Sequence, residues 1–210
     1  MRIDPDTLSP ARRYYLMISC IIPRPIAWVG TVNENGSHNL APFSYFNGFS
    51  STPPIVGIGF GPHDEKTEKD TLRNVRRTGE LTINLGTIDL VDELYATAED
   101  LPYGEDEFAS VGLTPVPGET VAAPRVAEAP ISLECTTWDI IDLGGLGSTL
   151  LLAEIKLFHL LDTLIDYRGT VDPHRYKALA RLGGGRFAEL TGIIKLPRDE
   201  DPSKDYSRKK

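Results

Sequence analysis

The chain has 210 residues, 40% hydrophobic and 25% charged, which suits one domain with a full core and is too short for two ordinary ones. Its 22 Lys and Arg against 30 Asp and Glu give a net charge of -8. This balance argues against nucleic acid or an anionic membrane surface as a partner and is typical of a cytoplasmic protein. Two distant cysteines and four scattered histidines lack the spacing of a zinc site or a disulfide framework, so we predict no metal.

The first apolar run, residues 14–22, follows two arginines and superficially resembles a twin-arginine signal. The run is short and ends in a Pro-Arg-Pro sequence, with no small-residue cleavage site. We therefore predict that it forms a first strand or turn of the folded domain. No stretch approaches the ~20 apolar residues that are needed to span a bilayer.

The next segments predict a mainly β domain with appended helices. Apolar runs with β-branched residues predict strands at residues 26–32, 55–60, 80–85, 131–141 and 149–161, and Asn35-Gly36 predicts a hairpin turn after the first. Helices are predicted from Thr67, which begins a capping-box-like sequence, to Gly79, and over about residues 89–98. The hairpin-like order of about seven strands favours a closed antiparallel barrel over a doubly wound sheet.

The remaining segments are predicted to be irregular. Residues 99–130, rich in Pro, Gly and acidic side chains, are predicted as surface loop, residues 144–149 as a hairpin turn and residues 171–176 as a turn or short helix. The domain is predicted to span residues 1–197, followed by a polar tail at residues 198–210.

Three motifs suggest chemistry, and each has an alternative explanation. The glycines at residues 57–61 resemble a dinucleotide fingerprint, but Pro62 stands where its last glycine is needed. Lys69, Thr71 and Asn74 at a helix N-terminus suit a phosphate, although an ordinary capped surface helix explains the same residues. Ser44 lacks the G-x-S-x-G elbow of a hydrolase nucleophile.

Taken in order, several segments resemble the flavin reductase-like, FMN-binding split-barrel family. They are residues 24–31, 39–44, 69–74, 78–84, 107–108, 124–126, 133–135 and 181–184. The resemblance covers roughly residues 10–190. One departure lies after the closing glycines, where the family often has a Tyr and this chain has Phe187 after an additional Gly185 and Arg186.

The resemblance implies an antiparallel FMN-binding split β-barrel and hydride transfer from NADH or NADPH to the flavin N5. It implies that residues 39–44, which fit neither a regular strand nor a helix, lie along the isoalloxazine ring. Backbone N–H groups there would meet the flavin. It also implies a phosphate site at the helix N-terminus. The predicted cofactor-binding residues are Trp28, Val29, Gly30, Thr31, Asn39, Leu40, Ala41, Pro42, Phe43, Ser44, Lys69, Asp70, Thr71 and Asn74.

No catalytic side chain is predicted, because the flavin carries the chemistry. His174, Arg175 and Tyr176 are predicted at the cleft rim, where Arg175 would meet a nucleotide phosphate, although a solvated turn explains them equally. The family resemblance also implies a homodimer, to which the strand at residues 149–161 could contribute, although core burial explains that strand equally.

Three hypotheses follow from the sequence. The first is an NAD(P)H-dependent flavin reductase with FMN. The second is an FMN-binding electron carrier, similar to flavoredoxin, without efficient NAD(P)H oxidation. The third is a cofactorless barrel that binds some other small ligand.

Overall fold

Antiparallel strands dominate the computed structural model, which describes residues 1–61, 68–99, 101–144 and 148–194. The strands are β1 (Arg24–Pro25), β2 (Ala27–Val32), β3 (His38–Phe43), β4 (Phe46–Ser51), β5 (Pro54–Phe60), β6 (Glu80–Leu85), β7 (Pro115–Val116), β8 (Arg125–Val126), β9 (Ile131–Asp142), β10 (Thr149–Leu160), β11 (Leu179–Arg181) and β12 (Phe187–Glu189). The helices are α1 (Pro10–Cys20), α2 (Asp70–Thr78), α3 (Val91–Ala96) and α4 (Glu107–Val111), with 3₁₀ turns at Pro5–Thr7, Ile88–Leu90 and Asp162–Leu164.

Seven strands form the main sheet in the order β3-β2-β6-β9-β10-β5-β4, and neighbouring strands are antiparallel. Across the gap between β3 and β5, the rings of Phe43 and Phe60 lie 4.6 Å apart, centroid to centroid. A smaller sheet, β1-β11-β12, and the pair β7-β8 complete the strands. The predicted mainly β architecture is confirmed, and a doubly wound sheet is excluded.

Strand β2 is buried on both faces, which fixes the position of its neighbour β3. Consecutive residues of a strand point to opposite faces. Val29 lies in the core inside the main sheet, whereas Trp28 lies in a second core with Leu94 and Phe108. Burial of such side chains contributes roughly 1.5–3 kcal/mol each.

Helix α1 corrects the prediction of a first strand or turn at residues 14–22. Ser9 caps the helix, because its Oγ accepts a hydrogen bond from the N–H of Arg12 at 3.3 Å, and Pro10 occupies the first helical position. Within α1 only Ile18 is buried. The apolar run is therefore a helix that lies mostly outside the core.

Two further segments are more regular than predicted. Residues 38–43 form strand β3, paired with β2 from Ala27↔Phe43 to Val32↔His38. The predicted surface loop at residues 99–130 contains α4, β7 and β8, and its Phe108 is buried in the second core. This loop is therefore part of the folded core.

The remaining predictions have mixed outcomes. Helix α2 ends at Thr78 and Gly79 is its C-cap, with φ 72°, so Gly79 stops the helix as predicted. The helix begins at Asp70, and Thr67 lies outside the described residues. The hairpin between β9 and β10 is confirmed by their pairing, although residues 145–147 of its turn lie outside the described ranges. The tail at residues 198–210 also lies outside them, so the predicted domain boundary stays a prediction.

A buried carboxylate fastens the loop before β8 to the main sheet. Glu134 on β9 is fully buried and accepts hydrogen bonds from the backbone N–H groups of Glu119 and Thr120 and from the Thr120 hydroxyl. His159 Nε2 lies 2.7 Å from the same carboxylate. Burial alone would raise the pKa of Glu134, but these hydrogen bonds outweigh burial and lower the pKa to about 2.

We expect Glu134→Gln to lower the free energy of unfolding at neutral pH by about 2–3 kcal/mol, because an amide replaces a carboxylate that accepts several hydrogen bonds. The folded pKa is lowered, so this stability is present above the unfolded pKa and is lost as the pH falls towards about 2. Urea denaturation at neutral and acidic pH measures it, with the exposed Glu105→Gln as a control. Equal unfolding midpoints for wild type and Glu134→Gln at neutral pH would contradict the prediction.

Candidate functional site

Strand β3 lies at one edge of the main sheet, and its unpaired edge borders a cleft. Pro42 has no N–H to donate to β2, so the backbone of this residue faces the unpaired edge of β3. Leu40, two residues earlier, directs its N–H to the same edge and donates to Glu107 Oε2 at 2.9 Å. Neither of these two positions therefore offers a free N–H to a ligand in the cleft.

The cleft has a volume of about 280 Å³, and half of the predicted cofactor-binding residues line it. We call it the β3 cleft. Its lining includes Asn39, Ala41, Pro42, Phe43, Lys69, Asp70 and Thr71 from the predicted set, and Gly61, Thr97, Ala98, Glu99, Leu101 and Glu107 from outside that set. The hairpin of β2 and β3 and the first turn of α2 therefore meet here, as the prediction of one site requires.

A buried network of polar side chains holds α2 against this hairpin. Asn39 Nδ2 donates to the hydroxyls of Thr31 (3.1 Å) and Thr71 (3.0 Å). Asn74 Nδ2 donates to Thr31 Oγ1 (3.0 Å) and to Asn33 Oδ1 (2.8 Å). All five side chains are buried. In this arrangement Thr31 and Asn74 position other residues, and their contact with a cofactor stays a prediction.

The first turn of α2 gives the β3 cleft a cationic end. Lys69 occupies the N-cap position and lines the cleft with Thr71. A helix N-terminus presents backbone N–H groups and partial positive charge, which together with an ammonium group suit a phosphate. Asp70 also lines the cleft, and its carboxylate lies 3.5 Å from the guanidinium of Arg73, which offsets its charge.

Sequence reasoning missed Glu107, a buried carboxyl in the wall of the cleft. Burial raises the pKa of Glu107, the hydrogen bond from Leu40 opposes that shift, and the charges of Asp70 and Asp106 add to it. One signal was present in the sequence. Asp106 accepts from the N–H of Ala109 at 3.2 Å and caps α4, which puts Glu107 in the first turn of a helix.

Seven predicted residues lie outside the cleft, and five of them belong to the packed strands β2 and β3. Trp28, Val29 and Gly30 are enclosed by protein, and the indole N–H of Trp28 donates to Thr97 Oγ1 at 2.8 Å. A Cβ on Gly30 would collide with a backbone carbonyl oxygen of the facing loop. The side chain of Leu40 lies in the second core. These residues hold β2 and β3 in place, and their contribution to a cofactor site stays a prediction.

A second cavity, of about 350 Å³, adjoins the β3 cleft. Pro42 and Ala98 line both spaces, and Ser44, the last residue of the predicted ring segment, lines the second. Arg24 and Arg181 also line it, so we call it the arginine cavity. The predicted ring segment therefore extends past two adjoining cavities.

Comparison with known proteins decides the family. The family described as "Flavin reductase like domain" matches residues 18–174. The chain belongs to this family. An uncharacterized protein of Aquifex aeolicus is 34% identical over 193 residues, which are 92% of this chain and 95% of that protein.

Two solved structures are similar over nearly the whole chain. Nitrilotriacetate monooxygenase component B from Bacillus cereus is 32% identical, with a TM-score of 0.89 over 93% of this chain and 98% of its own. The 2-nitrobenzoate 2-nitroreductase NbaA from Pseudomonas fluorescens is 28% identical, with a TM-score of 0.85 over 95% and 97%. The predicted family, the split-barrel fold and the function of a flavin-binding oxidoreductase are confirmed.

Of the three predicted rim residues, Tyr176 reaches a cavity. It lines a third space, of about 210 Å³, that shares Arg24 with the arginine cavity, and burial raises the pKa of Tyr176 to about 12. Arg175 instead donates to two backbone carbonyl groups at 3.2 Å and pairs with Asp172. His174 and Arg175 lie outside these three cavities, so their nucleotide contact stays a prediction.

The described ranges lack two features of other protein classes, a metal cluster and a membrane-spanning helix. Among those residues, no three His, Cys, Asp or Glu side chains cluster in a way that could hold a metal ion. No helix in the same part of the chain is long and apolar enough to cross a membrane.

We expect Glu107→Gln to raise the melting temperature at about pH 8, and the gain to vanish towards about pH 4, near the unfolded pKa of a glutamate. Because the folded pKa of Glu107 is raised, stability is lost as the pH rises from the unfolded pKa through the folded one. The amide oxygen can still accept from Leu40. Thermal denaturation across this pH range measures the effect.

Glu99→Gln is the matched control, because Glu99 lines the same cleft but is exposed. We expect its effect on the melting temperature to stay constant with pH. A loss of stability in Glu107→Gln that is equal at both pH values would contradict the role of charge.

Proposed function

We propose that this protein is an NAD(P)H-dependent flavin reductase that binds FMN in the β3 cleft. Bound FMN would supply the hydride chemistry, with N5 as the acceptor atom. The chain's own residues would bind the ring and the phosphate, orient the nicotinamide and exclude water. The observation that carries the proposal is that one cleft joins the unpaired edge of β3 to the first turn of α2.

The edge of β3 suits a flat, polar ring. Ala41 and Pro42 are small or flat side chains that line the cleft, which lets a ring approach the backbone closely. By the alternation of an antiparallel ladder, the carbonyl groups of Leu40 and Pro42 face this edge and can accept hydrogen bonds. The side chain of Asn39 is held at the other end of the strand by Thr31 and Thr71.

The first turn of α2 suits the single phosphate of FMN. Lys69 offers an ammonium group, and the helix N-terminus offers backbone N–H groups and partial positive charge. We propose FMN because its single terminal phosphate would lie at this turn. The buried network of Asn39 and Thr71 supports the proposal, since it fixes the distance between the ring edge and the phosphate end.

The nicotinamide nucleotide would be a transient co-substrate, which agrees with a chain that lacks the dinucleotide fingerprint. The names of the two similar proteins, a monooxygenase component and a nitroreductase, support redox chemistry for this chain. The two names imply different electron acceptors, so we propose only the half-reaction in which NAD(P)H reduces FMN.

We further propose a cytoplasmic homodimer. Strand β10 is divided in a way that agrees with an interface: Leu151 and Ala153 are buried in the core, whereas Phe158 near the end of the strand is 54% exposed. Helix α1 adds exposed apolar side chains, among them Leu16 and Met17. A second copy of the chain would cover such surfaces.

We expect the purified protein to bind added FMN and its visible absorption to bleach within the mixing time when NADH or NADPH is added without oxygen. Rapid-mixing spectroscopy measures the rate and identifies the preferred donor. Bound FMN that stays oxidised with both donors would refute the reductase and favour the electron carrier. Absence of FMN binding would refute the cofactor proposal.

We expect Lys69→Gln to weaken FMN binding about tenfold or more, the effect of losing one charge-assisted contact to a phosphate. Fluorescence quenching of FMN measures the dissociation constant. Lys177→Gln removes the same charge from an exposed residue that pairs with Asp89, and it should leave the affinity unchanged. Equal FMN affinities of Lys69→Gln and wild type would refute the placement of the phosphate at this end of the cleft.

A further inference from the structure

The arginine cavity has the chemistry of a second anion site beside the β3 cleft. We propose that it binds the anionic group of a single-ring aromatic substrate and that Arg181 anchors this group. The proposal deepens the proposed function and rests on it, because the ring of such a substrate would lie beside the flavin. The shared chemistry is a carboxylate or phosphate in a molecule with one aromatic ring, attached to the ring directly or through a ribose.

The described lining of the cavity carries positive charge. Arg24 on β1 and Arg181 on β11 are directly opposite partners in the small sheet. Like charges in this position destabilise a sheet. No Asp or Glu is found among the described residues that line the cavity, although the chain has 30 acidic residues against 22 basic ones. The described lining therefore does not balance this positive charge.

Arg24 is occupied by the fold. Its Nη1 donates to the carbonyl groups of Ile18 (2.7 Å) and Ile21 (2.6 Å), at the end of α1, and its Nη2 donates to that of Leu182 (2.9 Å). Its Nε lies 3.3 Å from the hydroxyl of Ser44. Since every nitrogen of this guanidinium has a partner, Arg24 supplies charge to the cavity and few free donors.

Arg181 has the opposite arrangement. Its guanidinium makes no hydrogen bond or ion pair with any residue in the described ranges, and it stacks over the ring of Phe187 at 4.4 Å. Burial lowers the pKa of Arg181, the interaction with Tyr14 opposes that shift, and the charge of Arg24 adds to it. A planar, partly buried cation with unmatched donors can bind a carboxylate or phosphate through two hydrogen bonds.

The walls of the cavity select a small aromatic ligand. Tyr14 and Tyr15 of α1 line it together with Phe187. A volume of about 350 Å³ has room for one ring with its anionic group. Because Pro42 lines both spaces, a ring bound here would lie beside the predicted flavin position.

Two sources could supply this chemistry, and two probes distinguish them. Nicotinamide mononucleotide represents the phosphate-bearing ring of the hydride donor, and benzoate represents an aromatic acid that accepts electrons. We would titrate both by calorimetry into wild type, Arg181→Gln, Arg181→Lys and Arg12→Gln, each loaded with FMN. Arg12 is an exposed residue of α1 outside the cavity, so Arg12→Gln removes the same charge as a control.

We expect wild type to bind at least one probe and Arg181→Gln to bind it about tenfold or more weakly, as the loss of one charge-assisted contact predicts. Arg181→Lys should fall between them, and Arg12→Gln should match wild type. The melting temperature of Arg181→Gln should be no lower than that of wild type, because the variant removes a like charge opposite Arg24.

If Arg181→Gln weakens the binding of nicotinamide mononucleotide alone, the ligand of the cavity is the hydride donor. If it weakens the binding of benzoate alone, the ligand is an aromatic acid. Binding of neither probe to wild type, or equal affinities in wild type and Arg181→Gln, would overturn the proposal. Weaker FMN binding in Arg181→Gln, with Lys69→Gln unaffected, would place the flavin phosphate here and overturn it too. If wild type fails to bind FMN, the proposed function fails, and the same titrations of the FMN-free protein still test the cavity.

Discussion

The two hydrogen bonds that Asn39 donates set the geometry of the candidate site. They join β3 to the hydroxyl of Thr31 on β2 and to the hydroxyl of Thr71 on α2, so one buried amide connects three elements. Loss of a partner would leave a buried donor unsatisfied, at about 1–3 kcal/mol. Because of this constraint, the cationic first turn of α2 and the unpaired edge of β3 cannot move independently. The site is therefore held by the sheet rather than by loops.

Much of the fold was predictable because its signals are local. Asn35-Gly36 marks a turn and Gly79 marks a helix end through backbone conformations that few other residues adopt. The start of α1 was equally local in Ser9 and Pro10, but the apolar run after them suggested a strand. The regular pairing of residues 38–43 was not predictable from composition, because an edge strand owes its mixed side chains to what lies beside it.

The site was less predictable than the fold, for a physical reason. Polar residues near a helix N-terminus look alike in a sequence whether they face a ligand or each other. Thr71 lines the cleft, whereas Asn74, one turn later, is bonded inside the protein. Glu107 lies in the cleft wall, although its local sequence does not indicate a site residue. Its importance depends on the N–H of Leu40, which is 67 positions away and becomes its partner through the tertiary fold.

Two buried glutamates have pKa values that shift in opposite directions, and the difference distinguishes a structural carboxylate from one beside a candidate binding site. Glu134 receives hydrogen bonds from several donors, and its pKa falls to about 2, so its ionised form stabilises the fold. Burial instead raises the pKa of Glu107, and its ionised form is a local cost in the wall of the cleft. Arg181, opposite Arg24, is a second local cost of the same kind. Both costs lie beside β3 and its adjoining cavities. Charges that fold stability alone does not explain are expected at sites that bind a ligand.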